Sequence, residues 1–134
     1  MATKNIKQWT ILNCSPDEAY KAWMDSKRHG EMIGGSAKID PEVGGEFSIW
    51  DGAVKGKTLE LDPKKHRIVQ EWRYDYDDWP ENEPSEIIIE FVSDKKGCKL
   101  KFWQSKVPEK HAKDIAQGWR DYYWKPMQKY FTKG

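Results

Sequence analysis

The side chains best suited to chemistry in this sequence are three histidines and two cysteines, and their spacing decides what they can support. His29, His66 and His111 lie in unrelated segments, with no cysteine or carboxylate at metal-ligand spacing beside them. A metal site needs several such groups to converge, so we expect solvated or capping histidines and no metal. Neither Cys14 nor Cys98 has a base near it in the sequence, so a thiol nucleophile is not indicated.

The other motifs that often carry chemistry are also absent or have simpler explanations. The cysteines are far apart and lack Cys-x-x-Cys spacing; we interpret both as reduced, buried thiols of a cytoplasmic protein, with a disulfide as the less favoured alternative. The glycine pairs at 34–35 and 44–45 are typical of turns rather than of a phosphate-binding loop. The adjacent carboxylates at 77–78 lie in a polar loop, where they are expected to be solvated. We therefore predict no catalytic residue and no cofactor.

Polar residues on the buried faces of predicted strands are more informative. Lysines alternate with Gln104 along one strand, and Glu71 and Arg73 alternate with Gln70 along another, so both glutamines are expected to point inward. The same alternation places Glu60 on the inner face of a third strand. A buried amide or carboxylate needs hydrogen-bond partners. In one alternative, a ligand or water in a cavity supplies these partners. In the other, Gln70 and Gln104 bond each other or the backbone, or the twist of the sheet places them at its rim.

The first of these alternatives predicts a ligand site between the sheet and a helix. Its candidate residues share an inward position on a predicted strand or on the apolar face of the helix: Phe47, Ile49, Glu60, Gln70, Trp72, Phe102, Gln104, Trp119 and Tyr123. Core packing alone would also account for the aromatic members of this set.

The element that must position these residues is a long helix over residues 111–131. Apolar residues recur there with helical spacing, at Ile115, Trp119, Tyr122, Tyr123, Met127, Tyr130 and Phe131. Pro126 lacks the amide that would bond the Tyr122 carbonyl, which predicts a kink. Gly118 costs about 1 kcal/mol relative to alanine in a helix, and we expect it to allow close approach of a strand.

The preceding chain predicts the surface that this helix covers. A strand at residues 6–12 is followed by a helix capped by Ser15, with Pro16 and Glu18 completing a capping box, and by a second short helix capped by Ser26. About six strands follow, including a hairpin at Asp51-Gly52. Consecutive strands joined by tight turns form an antiparallel sheet with one buried face. We predict an α+β fold of one domain, 1–134, in which a curved sheet of six or seven strands wraps around the long C-terminal helix, with Gly56 easing the curvature.

Charge and composition exclude several classes of partner. Lys and Arg number 23 and Asp and Glu 22, and neither sign clusters, so a nucleic-acid footprint is not expected. No apolar run approaches the length of about 20 residues that a membrane span needs. The N-terminal residues contain no signal-peptide core. Eight tryptophans in 134 residues indicate a core or cavity walled by large rings.

Several motifs, in order along nearly the whole chain, resemble a known family. They are Gly44-Gly45-Glu46-Phe47, Asp51-Gly52, Gly56, Leu61-x-Pro63, Arg67-Ile68-Val69, Trp72-Arg73, Trp79-Pro80, Val107-Pro108, Gln117-Gly118-Trp119 and Tyr122-Tyr123-Trp124-Lys125-Pro126. Together they resemble the C-terminal domain of the activator of heat-shock protein 90 ATPase and its short stand-alone relatives. That family belongs to the START-like, helix-grip superfamily (SRPBCC), which also includes the birch-pollen allergen and polyketide cyclases.

The resemblance implies a curved sheet gripping the C-terminal helix, often with a cavity between them. The eukaryotic co-chaperone has an additional N-terminal domain and linker that this sequence does not contain. Our first hypothesis is a non-enzymatic module that binds a small hydrophobic or amphipathic ligand in that cavity. The alternative is a co-chaperone-like protein that binds heat-shock protein 90 and modulates its ATPase. An enzyme of cyclase or hydrolase type ranks lowest, with Glu60 as its only charged candidate. Asp51, Arg73 and Trp79-Pro80 are expected to build turns and loops, or otherwise a partner-binding surface.

Overall fold

In a computed structural model that describes residues 2–132, one antiparallel sheet wraps around a long C-terminal helix. The elements in chain order are β1 (Thr3–Leu12), α1 (Pro16–Met24), α2 (Ser26–Ile33), β2 (Ala37–Ile39), β3 (Glu46–Ile49), β4 (Val54–Asp62), β5 (Arg67–Tyr74), β6 (Ser85–Asp94), β7 (Gly97–Pro108), α3 (Glu109–Gly118), a π-helical segment (Trp119–Trp124) and α4 (Lys125–Thr132). The strand order is β1-β7-β6-β5-β4-β3-β2, and every neighbouring pair is antiparallel. The predicted α+β helix-grip architecture is confirmed, with seven strands.

The two short helices begin at side-chain caps. The Ser15 hydroxyl accepts a hydrogen bond from the Glu18 amide at 3.1 Å, and Pro16 occupies the first turn, as predicted. The second cap lies one residue earlier than predicted, because the Asp25 carboxylate, not Ser26, accepts from the Arg28 amide at 2.8 Å.

The β3–β4 connection is the tight hairpin predicted at Asp51-Gly52. Trp50 and Asp51 have φ angles of 51° and 56°, and Gly52 has a φ of 98°. Asp51 also accepts a hydrogen bond from the Ser36 hydroxyl at 3.1 Å, which ties the turn to the segment before β2. Asp51 therefore has the turn-building role expected of it.

The side chain of Arg73 holds the loop between β5 and β6, which is the loop-building role expected of it. Its guanidinium donates to the carbonyl oxygens of Trp79 and Pro80. Trp79 is 1% exposed, and its indole nitrogen donates to the Glu83 carbonyl at 2.7 Å. The Trp79-Pro80 pair is thus an internal anchor of the loop.

The C-terminal helix is continuous over residues 109–132, but its middle turns are π-helical. The Lys125 amide bonds the carbonyl five residues back, at Arg120, so this segment holds one residue more than regular α-helical turns would. The extra residue explains why the predicted apolar stripe is wrong at its centre. Tyr122 is 62% exposed and Trp124 only 4%.

One of the two roles predicted for the irregular residues of this helix also needs revision. Pro126 lies in the first turn of α4, directly after the π-helical segment, and the kink expected there stays a prediction. The expectation that Gly118 admits a strand is wrong, because a Cβ added there would meet only the Tyr122 side chain, at 3.7 Å. Gly56 in β4 does permit the close approach of a neighbouring strand, since a Cβ there would lie 1.9 Å from the Glu71 carbonyl oxygen on β5. None of the helices in residues 2–132 is long and apolar enough to cross a membrane.

Candidate functional site

Eight of the nine predicted site residues come together in one buried layer between the sheet and the C-terminal helix. Each of them is at most 5% exposed: Phe47, Ile49, Gln70, Trp72, Phe102, Gln104, Trp119 and Tyr123. The rings of Trp72 and Trp119 lie 5.0 Å apart, and the ring of Tyr123 lies 4.9 Å from that of Trp119. We call these eight residues the interior layer.

The ninth residue, Glu60, does not belong to this layer, and its predicted inward orientation is wrong. The β4–β5 register shifts between Thr58 and Glu60, so Leu59 is an extra residue in β4 and the alternation of faces changes there. Thr58 points inward and is fully buried, whereas Glu60 is exposed and pairs with Arg67 at 3.6 Å. The interior layer therefore has no carboxylate from β4.

The side chain of Gln104 is hydrogen-bonded to two protein groups. Its side-chain carbonyl accepts from Trp119 Nε1 at 2.8 Å, and its amide nitrogen donates to the Ser85 hydroxyl at 2.9 Å. Ser85 in turn donates to the main-chain carbonyl of Trp72. The amide of Gln104 is thus satisfied by the fold itself.

The same indole–amide pairing occurs twice more. Gln70 accepts from Trp23 Nε1 at 3.1 Å and donates to the Thr58 hydroxyl at 3.2 Å. The third pair joins Gln8 and Trp124 at 2.6 Å, and the Gln8 amide donates to the Ala116 carbonyl at 2.9 Å. The inward glutamines therefore bond to tryptophans on the helices, rather than to each other, and connect the sheet to α1 and to the C-terminal helix.

His29 is the residue of this region that the sequence reasoning missed. It is 1% exposed, so the expectation of a solvated or capping histidine is wrong here. Its Nδ1 lies 2.8 Å from the Trp23 carbonyl oxygen, which can only accept, so Nδ1 carries the proton. Nε2 then accepts from the Tyr123 hydroxyl at 2.8 Å. Burial lowers the pKa of His29 to about 4, which keeps the ring neutral at physiological pH.

A sequence signal for His29 exists, although it is weak. His29 and Met32 are three residues apart in α2 and are its two buried residues, so they form its inner face. Apart from Gly30 and Ile33, the remaining residues of α2 are polar, so the short stripe is easily overlooked.

The other two histidines bind carboxylates in separate places. His66 Nε2 lies 3.6 Å from Asp17, and His111 Nε2 lies 2.8 Å from Asp78. In the described part of the chain, no three His, Cys, Asp or Glu side chains converge as metal ligands would.

One buried donor of the interior layer, Trp72 Nε1, is not hydrogen-bonded to any residue in 2–132. Among the described residues it is the one fully buried side-chain nitrogen or oxygen without a partner. The Tyr74 hydroxyl is near it, but the two groups do not reach hydrogen-bonding geometry. A buried donor without an acceptor lowers the stability of the fold by about 1–3 kcal/mol. A hydrogen-bond acceptor placed next to Trp72 Nε1 would therefore be stabilising.

Three clefts open on the surface. One, of about 760 Å³, lies on the solvent side of β3, β4 and β5. We call it the outer cleft. Its charged lining residues are Lys38, Lys55, Lys57, Arg73, Glu46, Glu71, Asp75 and Glu81. A second cleft of about 350 Å³ adjoins the Trp79 loop and a third adjoins His66, and no residue of the C-terminal helix lines any of the three.

Comparison with known proteins relates this arrangement to a named group. The chain is 28% identical over 120 residues to the activator of 90 kDa heat shock protein ATPase homolog 1 of Homo sapiens, which covers 90% of this chain and 35% of that protein. It is likewise 28% identical over 119 residues to the Dictyostelium discoideum homolog, covering 88% of this chain and 30% of that protein. The chain thus spans about a third of the length of these relatives.

A solved structure extends the comparison to the fold. The crystal structure of an HSP90 activator from Plasmodium falciparum superposes with a TM-score of 0.80 at 24% identity, covering 97% of this chain and 96% of that one. Residues 13–132 also match the family model described as "Activator of Hsp90 ATPase homolog 1-like protein". The chain, with its seven-stranded sheet gripping a 24-residue helix, belongs to this family.

Proposed function

We propose that this protein binds a chaperone of the 90 kDa heat-shock class and changes the rate of its ATPase. The observation that carries this proposal is the match of residues 13–132 to a family described by that activity. The relatives from Homo sapiens and Dictyostelium discoideum carry names with the same activity. The geometry supports a role for the surface, because the glutamines of the interior layer are already bonded to the protein.

The outer cleft is the candidate contact surface. It contains four cationic and four anionic side chains, and such mixed charge suits a transient protein partner better than an apolar small molecule. Lys55 and Lys57 project from β4 into this cleft and are exposed.

The test uses the 90 kDa heat-shock chaperone of the cell from which the protein comes. The chaperone's ATP turnover is measured with increasing amounts of the protein, and binding is measured by calorimetry on the same samples. We expect saturable binding and a changed turnover rate. Lys55→Glu with Lys57→Glu should weaken binding at least tenfold, whereas Lys113→Glu with Lys129→Glu, the same charge change on the exposed side of the C-terminal helix, should not.

The two parts of this proposal fail in different ways. No binding and no change of turnover at excess protein would overturn the function itself. Binding that is weakened equally by both charge reversals would leave the function standing and reject the outer cleft as the contact surface.

A second candidate function rests on Trp72 Nε1. We propose that a small amphipathic molecule with a hydrogen-bond acceptor can enter the interior layer and bond this nitrogen, which lacks a partner among the described residues. The surrounding rings of Trp23, Phe47, Trp119 and Tyr123 would contact its apolar part.

Dodecanoate and a naphthalene sulfonate dye are suitable probes for this second candidate. Tryptophan fluorescence should change saturably with at least one of them. Trp72→Phe should weaken binding, whereas Trp103→Phe, a half-buried tryptophan on the same sheet, should leave it unchanged. A fluorescence signal that does not saturate with either probe would overturn the candidate.

A further inference from the structure

The two cysteines, although 84 positions apart in the sequence, are neighbours in the fold. Cys98 pairs with Leu12 in the β1–β7 ladder, and the chain leaves β1 through Cys14 just beyond that pair. The thiols of Cys14 and Cys98 lie close enough together for each to change the pKa of the other. Both cysteines are free in this structure, but the expectation that both are buried is correct only for Cys98, because Cys14 is partly exposed.

A glycine makes this contact available. Gly97 has a φ of 129°, and a Cβ added to it would lie 2.5 Å from the Cys14 carbonyl oxygen and 2.9 Å from its amide nitrogen. The start of β7 can therefore lie directly against the backbone of Cys14. A side chain at position 97 would separate the two thiols.

The two thiols have different surroundings. Cys98 is completely buried in the core, whereas Cys14 is partly exposed at the junction of β1 and α1. The neighbouring Cys98 thiol, with a smaller contribution from the Arg28 guanidinium, lowers the pKa of Cys14. The Cys14 thiol and burial raise the pKa of Cys98. A partly exposed thiol with a lowered pKa beside a second, buried thiol is the arrangement of cysteines that respond to oxidants.

We propose that Cys14 and Cys98 are a redox modification site, at which a hydroperoxide converts the two thiols into a reversible intramolecular disulfide. This proposal depends on neither of the functions proposed above.

The reaction balances in two steps. The Cys14 sulfur attacks one oxygen of the hydroperoxide, the O–O bond breaks, and the other oxygen leaves as an alcohol, or as water from hydrogen peroxide, with the thiol's proton. Cys14 is then a sulfenic acid. The Cys98 sulfur attacks the Cys14 sulfur, the S–O bond breaks, and the hydroxyl leaves as water with the Cys98 proton. The two sulfurs lose two electrons, and the hydroperoxide gains them.

The disulfide would connect the β1–α1 junction to the start of β7. A disulfide needs Cα atoms about 4.4–6.8 Å apart, and diagonal neighbours in a regular antiparallel ladder are about 7–8 Å apart, so the backbone at Cys14 must move about 1 Å closer to β7. Only side-chain rotation and a small approach of the junction are required. A dithiol reductant such as dithiothreitol would reverse the bond by exchange.

The test treats the native protein with excess hydrogen peroxide and follows thiols and intact mass. We expect both thiols to disappear with a mass loss of two hydrogen atoms, a Cys14–Cys98 peptide on proteolysis, and full recovery with dithiothreitol. The same treatment in urea should produce this disulfide at least tenfold more slowly, because unfolding separates the two thiols.

Single substitutions identify which thiol reacts first. In Cys98→Ser the sulfenic acid cannot be resolved, so Cys14 should be labelled by dimedone. In Cys14→Ser the buried Cys98 should remain unlabelled. Retention of both thiols, crosslinking only between molecules, or labelling of Cys98 instead of Cys14 would each overturn the proposal.

Discussion

The hydroxyl of Tyr123 donates a hydrogen bond of 2.8 Å to Nε2 of His29, beneath the C-terminal helix. The other ring nitrogen of His29 donates to the Trp23 carbonyl, so both nitrogens are occupied and the ring is a neutral bridge between α2 and the helix. Burial also raises the pKa of Tyr123 well above its usual value, so its hydroxyl keeps its proton. A polar contact of this kind stabilises the fold only in one protonation state.

The first prediction is a loss of stability in mild acid. The unfolded chain protonates His29 near pH 6.5, whereas the folded chain does so near pH 4. The unfolded state therefore binds the extra proton first, and stability falls as the pH is lowered from about 6.5 to 4. The full difference is about 3 kcal/mol. Urea melts at half-unit pH intervals would measure it.

Two histidine variants separate this effect from other titrations. His29→Gln should remove most of the pH dependence in this range, whereas His111→Gln, which removes the pairing with Asp78 and the stacking on Tyr76, should retain it. An unchanged slope in His29→Gln would contradict the assignment. The carboxyls whose pKa is lowered in the fold, those of Asp17, Asp78 and Asp121, lose their contribution at more acidic pH.

A second prediction concerns Trp119, which is fully buried and bonded to Gln104. Trp119→Ala should lower the free energy of unfolding by about 3–5 kcal/mol, because it leaves a large cavity and an amide without its donor. Trp9→Ala is the matched control, since Trp9 is 62% exposed and contacts Lys99 from outside the core. Its cost should be below about 1 kcal/mol. Equal losses in denaturant melts would show that Trp119 faces a void or solvent.

A third prediction contrasts two glycines. Gly118→Ala should stabilise the protein by about 0.5–1 kcal/mol, because the helix gains propensity and the new Cβ meets only Tyr122, at 3.7 Å. Gly56→Ala should destabilise it, because the new Cβ would overlap the Glu71 carbonyl oxygen. Thermal melts of the two variants should shift in opposite directions. A shift in the same direction would show that one of the two backbones moves to accommodate the methyl group.

A fourth prediction tests the coupling within an indole–amide pair. Trp124→Phe leaves the Gln8 carbonyl without its donor, and Gln8→Leu leaves the Trp124 indole without its acceptor. Each change should cost about 1–3 kcal/mol, and the double variant should cost less than the sum of the two. The cycle should therefore give a coupling of at least about 0.5 kcal/mol in denaturant melts. Strict additivity would mean that the pair contributes little.

Much of the fold follows from local patterns in the sequence. Alternation along β5 and β7 correctly placed Gln70 and Gln104 inside, because the β5–β6 and β6–β7 ladders are regular through these positions. The same reasoning failed at Glu60, where the extra residue Leu59 reverses the faces. A bulge of this kind depends on the partner strand, so β4 alone did not reveal it.

The remaining errors have similar physical causes. Tyr122 was placed on the inner face because a 3.6-residue period was continued through a segment that is π-helical. His29 was missed because α2 offers only a two-residue inner stripe. The contact of Cys14 with Cys98 depends on β1–β7 register and on the close approach at Gly97. These are tertiary properties that composition and spacing do not encode.

The π-helical segment has a consequence for how the helix meets the sheet. One residue corresponds to about 100° of rotation in an α-helix, so α4 is turned by that amount from the orientation that an unbroken α-helix would give it. Met127 is fully buried. Without this rotation, a neighbouring residue of α4 would face the core in its place. The π-helical segment thus changes the rotational phase of the helix, so the apolar faces of α3 and α4 can each pack against their own part of the sheet. Deleting one residue from 119–124 would restore a regular α-helix, rotate α4 about its axis and turn its polar side towards the core.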